Sequence, residues 1–208
     1  MIYKKFTIKG LVQGIGFRPF VAELADELNI VGFVRNSGGI VTVVAGGEPE
    51  VLENFERRIA DEVPTGGFVS DIKVSENLCR SQVQTLCAGM DKKFVIIQSN
   101  SDDEKNLPVM PADIATCDRC IEELLDEKNR RYRHPFISCT VCGPRYSILK
   151  KLPYDRETIT MGDFELCQEC EKEYKMPKNI RRHAQTIACK SCGPKLTAIK
   201  IKDGKKEI

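Results

Sequence analysis

The sequence predicts an α+β protein in two parts, a ferredoxin-like βαββαβ sandwich followed by a small cysteine-rich domain. Two observations support this division. Over residues 1–98 the apolar spacing alternates between the periods of strands and helices, in the order strand, helix, strand, strand, helix, strand. Beyond residue 112 that spacing gives way to Cys-x-x-Cys pairs that recur at a fixed interval.

The first part is predicted one element at a time. Alternating apolar residues indicate a strand over residues 2–9, and a glycine-rich loop follows over residues 10–16. Arg18-Pro19 opens a helix, because proline is tolerated in the first turn. The remaining elements are a second helix from Glu48-Pro49, a hairpin of strands over residues 30–35 and 40–45, and strands over residues 69–74 and 93–98.

These patterns set the predicted domain boundaries. Residues 1–98 form the sandwich, and residues 99–112 form a linker, because its first half is acidic and rich in turn formers. Residues 113–196 form the cysteine-rich domain. Residues 197–208 are a short basic tail without a partner of its own, interpreted as the start of a next domain.

The cysteine-rich domain contains two modules of the form CxxC-x18-CxxC. The second module repeats the first with an offset of 50 residues, from 117 to 167 and from 142 to 192. Two such pairs supply the four thiolates of a tetrahedral structural zinc site, so the sequence predicts two zinc ions. The predicted ligands are Cys117, Cys120, Cys139 and Cys142 for one ion, and Cys167, Cys170, Cys189 and Cys192 for the other.

Other uses of these cysteines were weighed against zinc. Disulfides are disfavoured because no signal peptide opens the chain, which predicts a reducing cytoplasmic location. Redox Cys-x-x-Cys sites do not occur in fours, whereas an iron–sulfur cluster and an interleaved pairing of the two modules both stay open. Cys79 and Cys87 lie outside the repeat and are predicted to be unligated.

Composition excludes two classes of partner. The chain is 41% hydrophobic and 30% charged, with a net charge of +2. No basic face of the kind found in dedicated nucleic-acid binders is indicated. No apolar run approaches the roughly 20 residues that a membrane-spanning helix needs. The sequence therefore predicts neither a nucleic-acid partner nor a membrane.

The glycine-rich loop is the candidate site for chemistry. It joins a strand to a helix N-terminus, where converging backbone N–H groups favour an anion. Arg18 stands at the mouth of this loop, and its guanidinium matches two phosphate oxygens at once. We expect Arg18 to be exposed at the loop rim, and we expect residues 1–98 to form the site without the cysteine repeat.

Residues 10–20, GLVQGIGFRPF, together with residues 32–36, GFVRN, resemble the acylphosphatase signature. The resemblance covers residues 3–98. It implies that Arg18 and loop N–H groups hold a phosphoryl group and that Asn36 positions the attacking water. The implied phosphate-binding residues are Gln13, Gly14, Ile15, Gly16, Phe17 and Arg18.

The motifs around the cysteines, among them CGPRYS over residues 142–147 and RRYRHPF over residues 130–136, extend the likeness. Together with the first domain, the chain resembles the N-terminal portion of the HypF family of hydrogenase maturation carbamoyltransferases. The resemblance implies carbamoyl phosphate or another acyl phosphate as substrate. It implies as partners HypE and the C-terminal HypF domains, which this chain lacks.

Some residues and one alternative function remain open. His134 and His183 are interpreted as residues that support the ligands, lie at the surface or line a substrate channel, because each metal set already has four cysteines. The arginines at 130–133 and 181–182 are interpreted as solvated faces, with contact to an anionic partner or to the further domains as the alternative. The alternative function is a non-catalytic interaction module, in which the zinc modules bind a partner and the first domain binds an anion passively.

Overall fold

The computed structural model describes residues 1–75, 93–99, 109–202 and 205–207. Cys79, Cys87 and most of the predicted linker lie outside these ranges, as does nearly all of the irregular segment between the last two strands of the sheet. The sheet domain consists of β1 Ile2–Leu11, α1 Phe17–Glu27, β2 Val31–Ser37, β3 Ile40–Gly47, α2 Pro49–Asp61, β4 Phe68–Ser75 and β5 Phe94–Ile96.

The strands lie in the order β4-β1-β3-β2-β5, which confirms the predicted βαββαβ plan. The first four strands pair antiparallel, and β5 joins the edge of the sheet parallel to β2. The predicted fifth strand is therefore present, although its position beside β2 depends on a long-range pairing that local spacing does not encode.

The core lies between the sheet and the two helices. Val41, Val43 and Ala45 of β3 pack into it with residues of α1 and α2, whereas Val44 points to the opposite face with Tyr3 and Phe33. This alternation is the two-residue period of a strand. Burial of both faces fixes the register of β3. Because β3 is the central strand, its register also sets how the ends of the neighbouring strands align.

The connection from β1 to α1 depends on glycine. A β-bulge lies between Lys9 and Gly10, where a Cβ would collide with the backbone of Phe68. Gly16 adopts the left-handed conformation (φ 76°) immediately before α1, and within the described ranges no side chain caps that helix. The first N–H groups of α1 therefore face the loop without an intrahelical or capping partner.

The cysteine-rich region is a pair of short helices with irregular chain between them. Its elements are α3 Asp118–Leu125, α4 Gln168–Lys175, the 3-10 turns Tyr146–Ile148, Arg156–Thr158 and Thr160–Asp163, and a hairpin of β6 Lys200–Lys202 and β7 Lys205–Glu207. The two helices keep the 50-residue offset of the cysteines. The tail that was predicted to lack a partner pairs with itself. Across the described ranges, no helix is long and apolar enough to cross a membrane.

Candidate active site and metal centres

The eight cysteines form two local sets of four. Within each set all sulfur atoms lie within 4.8 Å of one another, and Cys139–Cys142 and Cys189–Cys192 are each 3.7 Å apart. Four sulfurs at about 2.3 Å from a central zinc are separated by roughly 3.8 Å, so the sets fit tetrahedral zinc. The same distances are too long for a disulfide. The chain therefore holds two zinc ions with local pairing, and the interleaved arrangement is wrong.

Helix ends and backbone N–H groups support the thiolates. Cys117 and Cys167 occupy the N-cap positions of α3 and α4, and the next cysteine of each pair is buried in the first helical turn. The positive end of the helix dipole there favours an anionic sulfur. The backbone N–H groups of Val141 and Ser191 each donate to a cysteine sulfur at 3.4 Å.

Arg131 of the first module reaches across to the second. Its side chain is 2% exposed, and its Nε donates to the Ala188 carbonyl at 2.9 Å. Its Nη2 donates to the Glu173 carboxylate at 2.5 Å and to the Cys170 sulfur at 3.5 Å. A first-module arginine therefore stabilises a second-module thiolate, in the manner of residues that support metal ligands.

Arg181 makes the same contacts in the opposite direction. Its Nε donates to the Ser138 carbonyl at 3.0 Å, and its Nη2 donates to Glu123 at 2.6 Å and to the Cys120 sulfur at 3.6 Å. Each partner differs by 50 residues from its counterpart, so the modules exchange arginines with approximate two-fold symmetry. The interpretation as solvated faces is wrong for Arg131 and Arg181, because both side chains are buried. A buried guanidinium needs acceptors inside the protein, and each of these has them.

The histidines belong to neither cysteine set. His134 is buried beside Phe136, with 6.1 Å between ring centroids, and its Nε2 has no partner among the described residues. Burial, followed by the charges of Arg131 and Lys190, lowers the pKa of His134. His134 is thus a neutral packing residue in the cysteine-rich region.

The predicted phosphate loop and Asn36 meet in one small cavity of about 30 Å³. Its wall includes most of the predicted residues, namely Gln13, Gly14, Gly16, Phe17, Arg18 and Asn36. Ile15 instead turns its side chain into the core of the sheet domain. The other side of the cavity comes from the cysteine-rich region, through Cys139, Thr140, Arg145, Tyr154, His183, Ala184, Gln185 and Thr186. The expectation that residues 1–98 form the site alone is therefore corrected.

Arg18 is covered rather than exposed at a rim. Only 11% of its side chain is exposed, and its Nη2 lies 2.6 Å from the Asp155 carboxylate. Its Nη1 donates to the Ser99 hydroxyl at 3.2 Å. The prediction of an exposed position is wrong because the segment between the two modules folds over the guanidinium and supplies a carboxylate.

Asn36 has an unused hydrogen-bonding atom. Its side chain is buried, and its Oδ1 has no partner among the described residues. A buried amide oxygen without a partner is costly, so an acceptor facing a polar cavity indicates a place for a water molecule or a ligand. Gln13 differs, because its Nε2 donates to the Gly38 carbonyl at 2.7 Å and its Oε1 accepts from the Tyr154 N–H at 3.3 Å.

The sequence did not predict which residues of the cysteine-rich region line the cavity. His183 adopts a positive φ of 53° and packs against Tyr174 at 4.8 Å. Burial, together with the charges of Arg18 and Arg182, lowers the pKa of His183 to about 4, so the ring is neutral near pH 7. For Arg145 a signal existed, since the motif Cys-Gly-Pro followed by a basic residue recurs in both modules.

Comparison with known proteins separates the same two parts. The family model described as "Acylphosphatase" matches residues 4–85, and the model described as "HypF finger" matches residues 116–149 and 166–199. An acylphosphatase of Vibrio vulnificus is 37% identical over 78 residues, which cover 37% of this chain and 86% of that protein. We refer to the two cysteine modules as the first and second finger.

The whole chain is similar to larger proteins. The carbamoyltransferase HypF of Synechocystis sp. is 41% identical over 157 residues, covering 76% of this chain. The chain spans 19% of the length of that relative. A crystal structure of full-length HypF in the phosphate- and nucleotide-bound form superposes with a TM-score of 0.85 at 38% identity, covering 94% of this chain and 25% of that one.

Proposed function

Because the chain belongs to the acylphosphatase family and joins that domain to the paired fingers of HypF proteins, we propose that its Arg18 cavity hydrolyses an acyl phosphate. One observation carries the proposal: Asn36, whose buried Oδ1 has no partner in the described part of the chain, lines the same cavity as Arg18. A group for the phosphate and a group for the water are thus available side by side.

Binding comes first in the proposed reaction. Arg18 and the N–H groups of residues 13–18 would hold the phosphoryl oxygens, because guanidinium groups and helix N-termini both favour phosphate. A bound anion would have to displace the Asp155 carboxylate, which lies 2.6 Å from Nη2 of Arg18. A dianion with three oxygens competes well for this contact, since it also receives the loop N–H groups.

The chemical step then needs little more than positioning. Asn36 would orient a water molecule for attack on phosphorus. The new P–O bond forms as the bond from phosphorus to the acyl oxygen breaks, and the acyl group leaves as a carboxylate. A phosphoryl oxygen takes the proton of the water, so no side chain must act as a base. Donors fixed in advance stabilise the charge that develops on the phosphoryl group.

The substrate we propose is carbamoyl phosphate, because the similar full-length proteins are named carbamoyltransferases. Its hydrolysis would release carbamate and phosphate. As partners we propose HypE and the further domains of HypF, because the chain is similar to HypF proteins. The zinc fingers would shape the second wall of the cavity and support Arg145, without entering the chemical step.

Phosphate release from carbamoyl phosphate and acetyl phosphate tests the proposal. We expect the chain to hydrolyse both without ATP, Asn36→Ala to slow hydrolysis while still binding inorganic phosphate, and Arg18→Ala to lose binding and hydrolysis together. If the parent binds phosphate but releases none from either substrate, the proposal fails and the non-catalytic interaction module is supported instead. Activity that appears only with ATP would also contradict it.

A further inference from the structure

Arg145 of the first finger is buried between a zinc knuckle and the phosphate loop. Only 2% of the residue is exposed. Its Nε donates to the Gly14 carbonyl, while its Nη1 donates to the carbonyls of Cys142 at 3.0 Å and Pro144 at 2.9 Å. Its Nη2 donates to the Thr140 carbonyl at 2.9 Å. A single guanidinium therefore ties the loop of one domain to the cysteine knuckle of the other.

This guanidinium is held in one orientation. A buried arginine keeps its charge, so its N–H groups must all find acceptors. Among the described residues, the acceptors of its side chain are main-chain carbonyls, and its backbone N–H donates to the Asp113 carboxylate at 2.8 Å. Rotating the side chain would remove the donor from the buried Cys142 carbonyl and break the contact with Gly14.

From these contacts we propose that Arg145 is a positioning residue for the phosphate site, an inference that rests on the proposed function. In a trans peptide the C=O and the following N–H point to opposite sides. Fixing the Gly14 carbonyl therefore also fixes the direction of the Ile15 N–H, one of the predicted phosphate donors. Gly14 has a φ of 73°, and a Cβ there would lie 3.2 Å from the Arg145 side chain, so a glycine permits this approach.

Arg145 also adds positive charge to the cavity wall. Because its side chain donates to neutral carbonyls rather than to carboxylates among the described residues, its charge stays available to a phosphate in the cavity that it lines. Orientation and charge are separable, since lysine keeps the charge but cannot reach four carbonyls from a planar group.

The second finger provides a matched control. Lys195 stands at the position equivalent to Arg145, 50 residues later, and it is exposed. Lys195→Gln therefore removes the corresponding charge from the same motif without touching the loop. If Arg145→Gln has an effect that Lys195→Gln does not have, that effect is caused by loss of the contacts with Gly14 and the cysteine knuckle.

The experiment compares Arg145→Gln, Arg145→Lys and Lys195→Gln in the full chain. It measures kcat and KM for acyl phosphate, the inhibition constant of inorganic phosphate, and zinc content. Arg145→Gln should keep two zinc ions, weaken phosphate inhibition, and lower kcat/KM by up to about a hundredfold, the typical effect of a misplaced binding group. Lys195→Gln should match the parent.

Arg145→Lys decides between orientation and charge. Lysine should restore less than half of the lost phosphate affinity. If lysine restores the parent constants, charge alone is what Arg145 supplies, and the positioning role is overturned. Unchanged constants for zinc-loaded Arg145→Gln also overturn it. Should Arg145→Gln fail to fold, the zinc-loaded lysine variant gives the result: weakened inhibition supports the role, and parent constants refute it. A parent protein without hydrolysis refutes the proposed function instead.

Discussion

The two fingers share one framework, yet they meet the sheet domain differently. Both hold four cysteines at the same spacing, and each donates one buried arginine to the other. Only the first finger sends its Gly-Pro-basic motif into the phosphate loop, through Arg145, whereas Lys195 of the second is exposed. The preserved pair Arg131 and Arg181 supports the metal centres, whereas the divergence between Arg145 and Lys195 gives only the first finger this contact with the cavity.

The charge around the two metal centres also differs. Four thiolates and one Zn²⁺ leave a net charge of −2 at each centre. The second centre receives N–H groups from both Arg130 and Arg131, at 3.3 and 3.5 Å from the Cys170 sulfur. The first receives Arg181, while position 180, equivalent to Arg130, is an isoleucine that packs in the apolar cluster of the first finger. The second centre is thus the better neutralised of the two.

Removal of zinc should have the largest effect, and it tests the framework that both fingers share. The apolar clusters described for this region are small, and two of the three contain the cysteines themselves, so zinc replaces much of a core. Each structural zinc contributes on the order of 10 kcal/mol in finger peptides. A chelator should therefore unfold residues 113–196 and leave residues 1–98 folded. Amide hydrogen exchange checks this, and simultaneous loss of protection in β1–β3 would contradict the predicted boundary.

Loss of Arg18 tests the cavity side of the comparison. Arg18→Ala should cost about 3 kcal/mol of transition-state stabilisation, roughly a hundredfold in kcat/KM, as for other lost oxyanion donors. Arg18→Lys should recover little, because an ammonium cannot contact two oxygens in parallel. Both fingers should keep their zinc, since neither zinc centre uses Arg18. Parent activity in Arg18→Ala would show that the site assignment is wrong.

The exchanged arginines test the symmetry of the fingers. Arg181→Met should lower the free energy of unfolding by about 2–3 kcal/mol, because it removes the donor of the partly buried Glu123 carboxylate and of the buried Ser138 carbonyl. Arg131→Met should lower it less, because Arg130 still donates to the Glu173 carboxylate at 2.8 Å. Denaturant unfolding with zinc present measures both. Both variants should be destabilised, and an effect of Arg131→Met as large as that of Arg181→Met would show that Arg130 does not compensate for the loss.

Replacement of Asp155 should have the smallest effect of these changes. Its carboxylate holds Arg18 in the absence of an anion and is 23% exposed. Asp155→Asn should tighten inhibition by inorganic phosphate a few-fold, or about 1 kcal/mol, the scale of a partly exposed ion pair. Weaker inhibition in Asp155→Asn would indicate that Asp155 aligns Arg18 for phosphate rather than competing with it.

Local patterns were enough to predict the strands and helices of the sheet domain and both cysteine sets, but α3, α4 and the hairpin of β6 and β7 were not predicted. The predicted features depend on residues near one another in the sequence, such as the pair Cys117 and Cys120. The exchange of Arg131 and Arg181 could not be predicted, because a basic stretch has the same composition whether it is solvated or docked. The covering of Arg18 depends on Asp155, which lies 137 residues further along the chain. Only the folded arrangement of the two domains brings these groups together.

A crystal structure with inorganic phosphate tests the central claim most directly, since it shows whether the Arg18 cavity is a phosphate site built by both domains. We expect one phosphate in the cavity, with oxygens about 3 Å from the Arg18 guanidinium and the loop N–H groups. Asp155 should have released Arg18, and Arg145 should still hold the Gly14 carbonyl. A phosphate bound elsewhere at saturating concentration, with Arg18 still on Asp155, would contradict the account.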